Sequence, residues 1–208
     1  YEFFALKIFS LFKTELITTS PILQEELKKS GLNTDNIHIL PCCISDEEEK
    51  FLFKNNNFKK RSNFNNLNLV FIGRLCEYKR VDWILNIMPG RNYLNLEIVG
   101  SGKYLNKYKC MSKKLGIENR VKFPGRLNDV QKLSILKKSD ILILPSITPN
   151  EAFGIVQLEA MASETIPIAT HIEKSGVSWV GNIKNFLKLD ILHEENLGEI
   201  IDKLWFEK

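Results

Sequence analysis

An α/β domain built on a doubly wound parallel sheet is the fold this sequence predicts, and three observations predict it. Strand-like apolar runs recur at Leu67–Ile72, Leu94–Val99, Val121–Phe123, Ile141–Leu144 and Ile166–Ala169. Helix-like stretches lie between them, at about 79–88, 103–115, 128–138 and 155–163. The 208 residues are 44% hydrophobic and 26% charged, which is ordinary globular composition and enough apolar mass for a core. Strands that alternate with helices imply parallel neighbours joined by right-handed crossovers. In such sheets ligands bind at the carboxyl ends of strands, where the strand order reverses.

Upstream of the regular part the elements are shorter. Residues 1–13 carry apolar side chains around most of a helix, with Lys7 and Lys13 as the basic residues. A core helix is the expected reading, and a membrane-surface helix through Phe3–Phe12 is the alternative. Leu16–Ser20 reads as a strand, and Ser20-Pro21 as an N-cap followed by a helix-starting proline. That helix runs to about Lys29 and stops at Gly31. Ile37–Leu40 is a second short strand, ended by Pro41. Residues 54–66 are asparagine-rich without any period, so they read as a linker and a domain boundary. A last helix is expected over Glu194–Phe206.

Composition excludes several function classes. A net charge of +4, from 29 basic and 25 acidic residues, suits an anionic small molecule but lacks the basic stripe that nucleic acid requires. The densest basic run, Lys59-Lys60-Arg61, sits among asparagines and reads as a solvated loop. Cys42, Cys43, Cys76 and Cys110 form neither a C-x-x-C pair nor a zinc spacing, and are expected to be buried or idle thiols in a reducing compartment. His38, His171 and His193 are scattered. No apolar run approaches the roughly 18 residues of a membrane span. The expected location is the cytoplasm, with peripheral attachment at the cytoplasmic membrane face as an option. The start at Tyr1 suggests a fragment.

The residues that carry chemistry cluster after predicted strands. The apolar run to Pro145 is followed by Glu151-Ala-Phe-Gly-Ile155, a glycine-containing loop that opens into a helix. Backbone N–H groups at a helix start attract phosphate or hydroxyl oxygens. Glu151 stands in that loop, and Glu159 falls among Ile155, Val156, Leu158, Ala160 and Met161. A carboxylate in such surroundings needs a partner, either a ligand or a cation elsewhere in the chain. Gly73 ends the first long strand, and Arg74 and Lys79 follow it, an arginine fork with a lysine point charge suited to a diphosphate. Gly100-Ser101-Gly102 is a tight turn, not a dinucleotide fingerprint, because Leu105 stands at the third glycine position. No Asp-x-Asp occurs, so positive side chains and helix dipoles would have to stabilise a leaving diphosphate.

Taken in order, these blocks resemble the C-terminal half of family-4 glycosyltransferases. The match rests on Phe71-Ile-Gly-Arg-Leu75 with Lys79, Val121-Lys-Phe-Pro-Gly125 and Ser139–Ser146. It continues through the two glutamates eight apart, Glu151 and Glu159, and through Ser175–Val180, and covers about residues 14–182. The resemblance implies a GT-B architecture, with this chain carrying the Rossmann-like C-terminal domain. It implies residues 1–53 as a remnant of the N-terminal acceptor-side domain, 54–66 as linker and 67–208 as the nucleotide-sugar donor-binding domain. It further implies transfer of a sugar from a nucleotide diphosphate donor with retention at the anomeric carbon, no metal and no other cofactor.

Residue roles follow from the resemblance alone. Arg74 and Lys79 would stabilise charge growing on the diphosphate, and Glu151 would hold donor-sugar hydroxyls. Backbone at Gly73 and at Phe153, Gly154 and Ile155 would approach the donor. Glu159 would take the ribose, and Gly125 and Arg126 would edge the base. One departure stands out: Ser163-Glu-Thr-Ile-Pro167 lacks the glycine usual before that strand. The acceptor is expected to be a glycan or a lipid-linked molecule in cell-surface synthesis. The fragment alone is expected to be inactive. The alternative is a non-catalytic nucleotide-sugar-binding module that pairs with a separate N-terminal-domain protein.

Overall fold

The computed structural model describes residues 15–32, 34–54, 65–181, 190–191 and 193–206. The helix expected over residues 1–13 and residues 55–64 of the expected linker lie outside these. Two sheets are present among the described residues. The smaller pairs β1 (Leu16–Thr18) with β2 (Ile37–Ile39) in parallel. Between them runs α1 (Pro21–Lys29), with Pro21 in its first turn and the Ser20 hydroxyl accepting from the Leu23 N–H at 3.3 Å. Gly31, at φ +87°, then turns the chain out of the helix.

The larger sheet contains β3 (Leu67–Ile72), β4 (Leu94–Val99), β5 (Val121–Gly125), β6 (Ile141–Leu144), β7 (Ile166–Thr170) and β8 (Asp190–Ile191). Its order is β5-β4-β3-β6-β7-β8, with every pair parallel. The order runs outward one way from β3 through β4 to β5, and the other way from β6 through β7 to β8. The switch therefore falls between β3 and β6, as the doubly wound prediction requires. Pro124 is tolerated inside β5 because that strand is at the sheet edge.

Both faces of the sheet are covered, and the strand alternation shows how. Leu67, Leu69 and Phe71 of β3, Leu94, Leu96 and Ile98 of β4, and Ile141 and Ile143 of β6 enter one core. Against this face pack α3 (Val81–Asn86), α4 (Leu105–Lys114) and α8 (Glu194–Phe206), through residues such as Ile84, Tyr108 and Ile201. Val70, Val99, Leu142, Leu144 and Ala169 point the other way, into a second core. That core is closed by α2 (Asp46–Lys54), α5 (Asp129–Lys138), α6 (Val156–Ala162) and α7 (Val177–Val180). A period of two sends each strand's side chains alternately to the two layers.

Most predicted elements are present within one or two residues, and three differences have physical causes. The helix expected over 79–88 is instead a 3-10 turn, Glu77–Lys79, followed by α3. Arg80 separates them at φ +44°, a left-handed conformation that no continuous helix contains. The strand starting at Val121 extends to Gly125, where Gly100 N–H donates to the Gly125 carbonyl at 2.8 Å. Helix α2 was not expected at all. It begins at a capping box, in which the Ser45 N–H donates to Glu48 at 2.9 Å and the Glu48 N–H donates to the Ser45 hydroxyl at 3.3 Å. Its Leu52 is buried in the second core, and Lys137 donates to the Leu52 carbonyl at 3.1 Å.

The missing glycine before β7 leaves its turn intact. Glu164 takes φ +60° in its place, just past the end of α6, at the position where glycine commonly ends a helix. None of the four cysteines is buried: Cys42 and Cys76 are half-buried, and Cys43 and Cys110 are exposed. No helix among the described residues is long and apolar enough to cross a membrane.

Candidate functional site

At the carboxyl end of the sheet, the loops after β3, β4, β5 and β6 converge beside the switch. The loop after β3 carries Gly73, Arg74 and Lys79, and it is held by backbone bonds. Gly73 N–H donates to Val99 at 3.0 Å, and Leu75 N–H to Ser101 at 2.9 Å. Gly100 and Gly102 permit this: a Cβ on either would collide with the carbonyl oxygen of Gly73 or Leu75. The Gly-Ser-Gly turn thus serves close approach of two backbone loops.

Between these loops lies a cavity of about 460 Å³ lined by Gly73, Arg74, Ser101, Arg126 and Lys132 among others. Arg74 and Arg126 are exposed, and neither forms an ion pair with another described residue. Two arginines without carboxylate partners beside a concavity at a strand-order switch are a setting suited to an anion.

The loops after β3 and β6 are tied together by charge. Lys79, only 7% exposed, forms an ion pair with Glu151, and the buried Ser146 hydroxyl donates to the same carboxylate oxygen at 3.0 Å. The Ile147 N–H donates to the Tyr78 carbonyl at 3.0 Å beside them. Ser175, from the loop before α7, donates to the Glu151 carbonyl oxygen. Burial pushes the Lys79 ammonium down to about 8, and the Arg74 charge works in the same direction. Contact with the Glu151 carboxylate opposes that shift and favours the charged pair at neutral pH. Both described partners of the Glu151 side chain engage one oxygen, Oε2, which leaves Oε1 for a ligand.

Glu159 is 6% exposed within α6, and its partner is Lys132 of α5, whose Nζ lies 2.8 Å from Oε1. This is the cation elsewhere in the chain that the sequence left unidentified. Lys132 also reaches Asp129 at 3.0 Å and Glu48 of α2 at 3.2 Å. Burial holds the Glu159 carboxyl above its usual range despite the lysine. Burial alone would lower Lys132, but the carboxylates around it, Glu159 first, raise it above the ordinary lysine value.

The structure thus brings Gly73, Arg74 and Arg126 to one cavity, and Gly125, next to Arg126 in the chain, turns at φ +80° without lining it. Lys79 stands close by: its Cε lies 3.8 Å from the position a Gly73 Cβ would take. Glu159 joins through Lys132. Phe153, Gly154 and Ile155 do not line this cavity. Phe153 is buried with its ring 6.1 Å from that of Trp179, Gly154 turns at φ +71°, and Ile155 is exposed. The Gly176 N–H anchors their loop by donating to Ala152 at 2.8 Å. Sequence reasoning missed Lys132 and Glu48. The Ser45-x-x-Glu48 capping box was a usable signal for α2, whereas nothing local singles out Lys132.

Residues 45–190 match the family described as glycosyl transferases group 1. The chain belongs to that family. An uncharacterized glycosyltransferase of Methanocaldococcus jannaschii is 32% identical over 126 residues, which is 59% of this chain and 30% of that protein. Among solved structures, Anabaena HepE in complex with UDP superposes with a TM-score of 0.73 at 19% identity, covering 93% of this chain and 54% of that one. WaaG, a glycosyltransferase involved in lipopolysaccharide biosynthesis, gives a TM-score of 0.69 at 21% identity over 93% of this chain and 54% of that one. The fold of this group 1 member is accordingly the Rossmann-like domain of GT-B glycosyltransferases. The chain spans about a third of the archaeal relative's length and about half of each solved chain.

Proposed function

We propose that this chain is the donor-binding half of a retaining, metal-independent family-4 glycosyltransferase that moves a sugar from a nucleotide diphosphate to a glycan or lipid-linked acceptor. The observation that carries the reading is the Lys79–Glu151 pair, which joins the loops after β3 and β6 across the strand-order switch. Family membership and the naming of HepE's ligand as UDP support a nucleotide-sugar donor. WaaG's part in lipopolysaccharide synthesis supports a cell-surface product.

In this reading Arg74, Arg126 and Lys79 supply the positive charge that a departing diphosphate needs, a role a metal plays in other transferases. Glu151, braced by Lys79 and Ser146, turns its remaining oxygen to the donor sugar, and Glu159 takes the ribose. Gly73, Gly125 and the backbone of Phe153, Gly154 and Ile155 shape the rim. Residues 1–53 belong to the acceptor-side domain, with α2 as the piece that rests on the donor domain. Residues 54–66 link the two, and 67–208 form the donor domain. Four unpaired thiols fit a reducing cytoplasm. A lipid-linked acceptor would bring the enzyme to the membrane face.

Titration calorimetry of the chain with UDP, GDP and ADP tests this. One of them binds, and Arg74→Ala and Glu159→Ala each weaken it about tenfold or more. Absence of binding by all three, or indifference to both substitutions, contradicts the reading.

A further inference from the structure

Four charged groups from three helices meet at one point beside the cavity. Lys132 of α5 touches Glu159 of α6, Glu48 of α2 and its own helix neighbour Asp129, at 2.8, 3.2 and 3.0 Å. Glu48 is doubly fixed: Oε2 receives the Ser45 N–H and hydroxyl, and Oε1 receives Lys132. The Lys132, Glu48 and Glu159 side chains are each at most 15% exposed. An acid buried as deeply as Glu159 would shed its charge without a cation in contact. A neutral carboxyl is a poor acceptor for two neighbouring hydroxyl groups, because its own proton takes one of its bonding positions. The ammonium engages Oε1 alone, so the other oxygen is left for a ligand.

We propose that Lys132 is a positioning residue of the donor site: braced by Glu48 of α2, it fixes the Glu159 carboxylate as the charged acceptor of the ribose hydroxyls. The inference rests on the assignment of Glu159 to the ribose and extends it to two residues outside the donor-binding motif. It also makes α2, which lies upstream of the asparagine-rich stretch, a working part of the nucleotide site. The groups facing Glu159 are Lys132 and Asp129 on α5 and Glu48 on α2, with Arg74 and Arg126 sharing the cavity that Lys132 lines.

The test compares binding of a nucleoside diphosphate, whichever of UDP, GDP and ADP binds tightest, with binding of its 2′,3′-dideoxy counterpart. The wild-type chain is expected to favour the hydroxylated ligand roughly tenfold or more, as hydrogen bonds to a charged acceptor imply. In Lys132→Met that preference collapses to within about twofold near neutral pH and returns as pH rises and Glu159 ionises, while Lys132→Arg retains it. Glu48→Gln narrows it partway and leaves the Lys132–Glu159 contact in place, so it reports even if Lys132→Met does not fold. A general loss of structure would weaken both ligands equally and leave the ratio unchanged. If the wild type shows the preference and Lys132→Met keeps all of it, Lys132 has no such role, and if Glu48→Gln keeps all of it, the brace from α2 falls. If the wild type binds both ligands alike, the ribose assignment of Glu159 itself falls, and this inference with it.

Discussion

The two ends of the parallel sheet carry similar charges and use them in opposite ways. At the strand starts, Arg91 clasps Asp202 of α8 with two bonds of 2.7 Å, and the Tyr93 hydroxyl donates to the same carboxylate at 2.5 Å. Arg91 also donates to the Ile87 carbonyl, and Tyr93 stacks on Trp205 with ring centroids 4.6 Å apart. Arg91 and Asp202 satisfy one another, and the effect is to pin the last helix to the sheet. At the strand ends, Lys79 and Glu151 are paired, but Arg74 and Arg126 stand without carboxylates around a cavity. A closed network stabilises the fold, whereas an electrically incomplete one is a place for an anion.

The largest expected effect comes from breaking the pair at the working end. Glu151→Ala leaves a buried lysine without its counter-charge and lowers stability by about 3 kcal/mol in urea denaturation. The double variant Lys79→Met with Glu151→Leu recovers most of that stability, yet binds no nucleoside diphosphate. Recovery of binding along with stability would reduce the pair to a structural role.

At the other end, Asp202→Asn is expected to lower stability by about 1–2 kcal/mol, partial exposure trimming the effect, without changing nucleotide affinity. The hydrogen bond from Arg91 holds the Asp202 carboxyl below its usual range. Its stabilisation is therefore complete above the unfolded-state value and is lost as pH falls through the lower folded-state value. A urea series from pH 6 down to pH 3 detects this as a fall that Asp202→Asn does not share.

Two smaller effects sharpen the contrast. Burial lowers the Lys79 ammonium toward about 8 while contact with Glu151 holds it up, so affinity for a nucleoside diphosphate should fall only about twofold between pH 7 and pH 9. Lys79→Arg should flatten that dependence. Glu164→Gly relieves a left-handed residue on an exposed turn and should raise stability by about 1 kcal/mol, with binding untouched.

Much of this was legible before any coordinates. Strand runs of four to six apolar residues marked β3, β4 and β6 to the residue, and Ser20-Pro21 marked the start of α1. Arg74, Lys79 and Glu151 were legible as a group because each follows a strand, and a parallel sheet gathers such loops at one edge. The break at Arg80 was not, because a left-handed arginine leaves no trace in hydrophobic periodicity. Lys132 was hidden for a different reason. It occupies an ordinary place in a helix with Lys137 and Lys138, and its meaning comes from Glu48 and Glu159, 84 and 27 residues away. Pairing across such separations is set by packing, which local patterns do not encode.

The most direct test of the account maps where the anion sits. Two cavities lie at opposite ends of the sheet: the one at the strand ends, and another of about 410 Å³ at the strand starts, lined by Asn68, Asn95, Lys122 and Lys138. Titrating isotope-labelled protein with UDP, GDP or ADP and following backbone amide shifts distinguishes them. The account predicts that the largest shifts fall at residues 73–74, 100–102 and 126. Shifts gathered at residues 68, 95 and 122, or none at all, would contradict it.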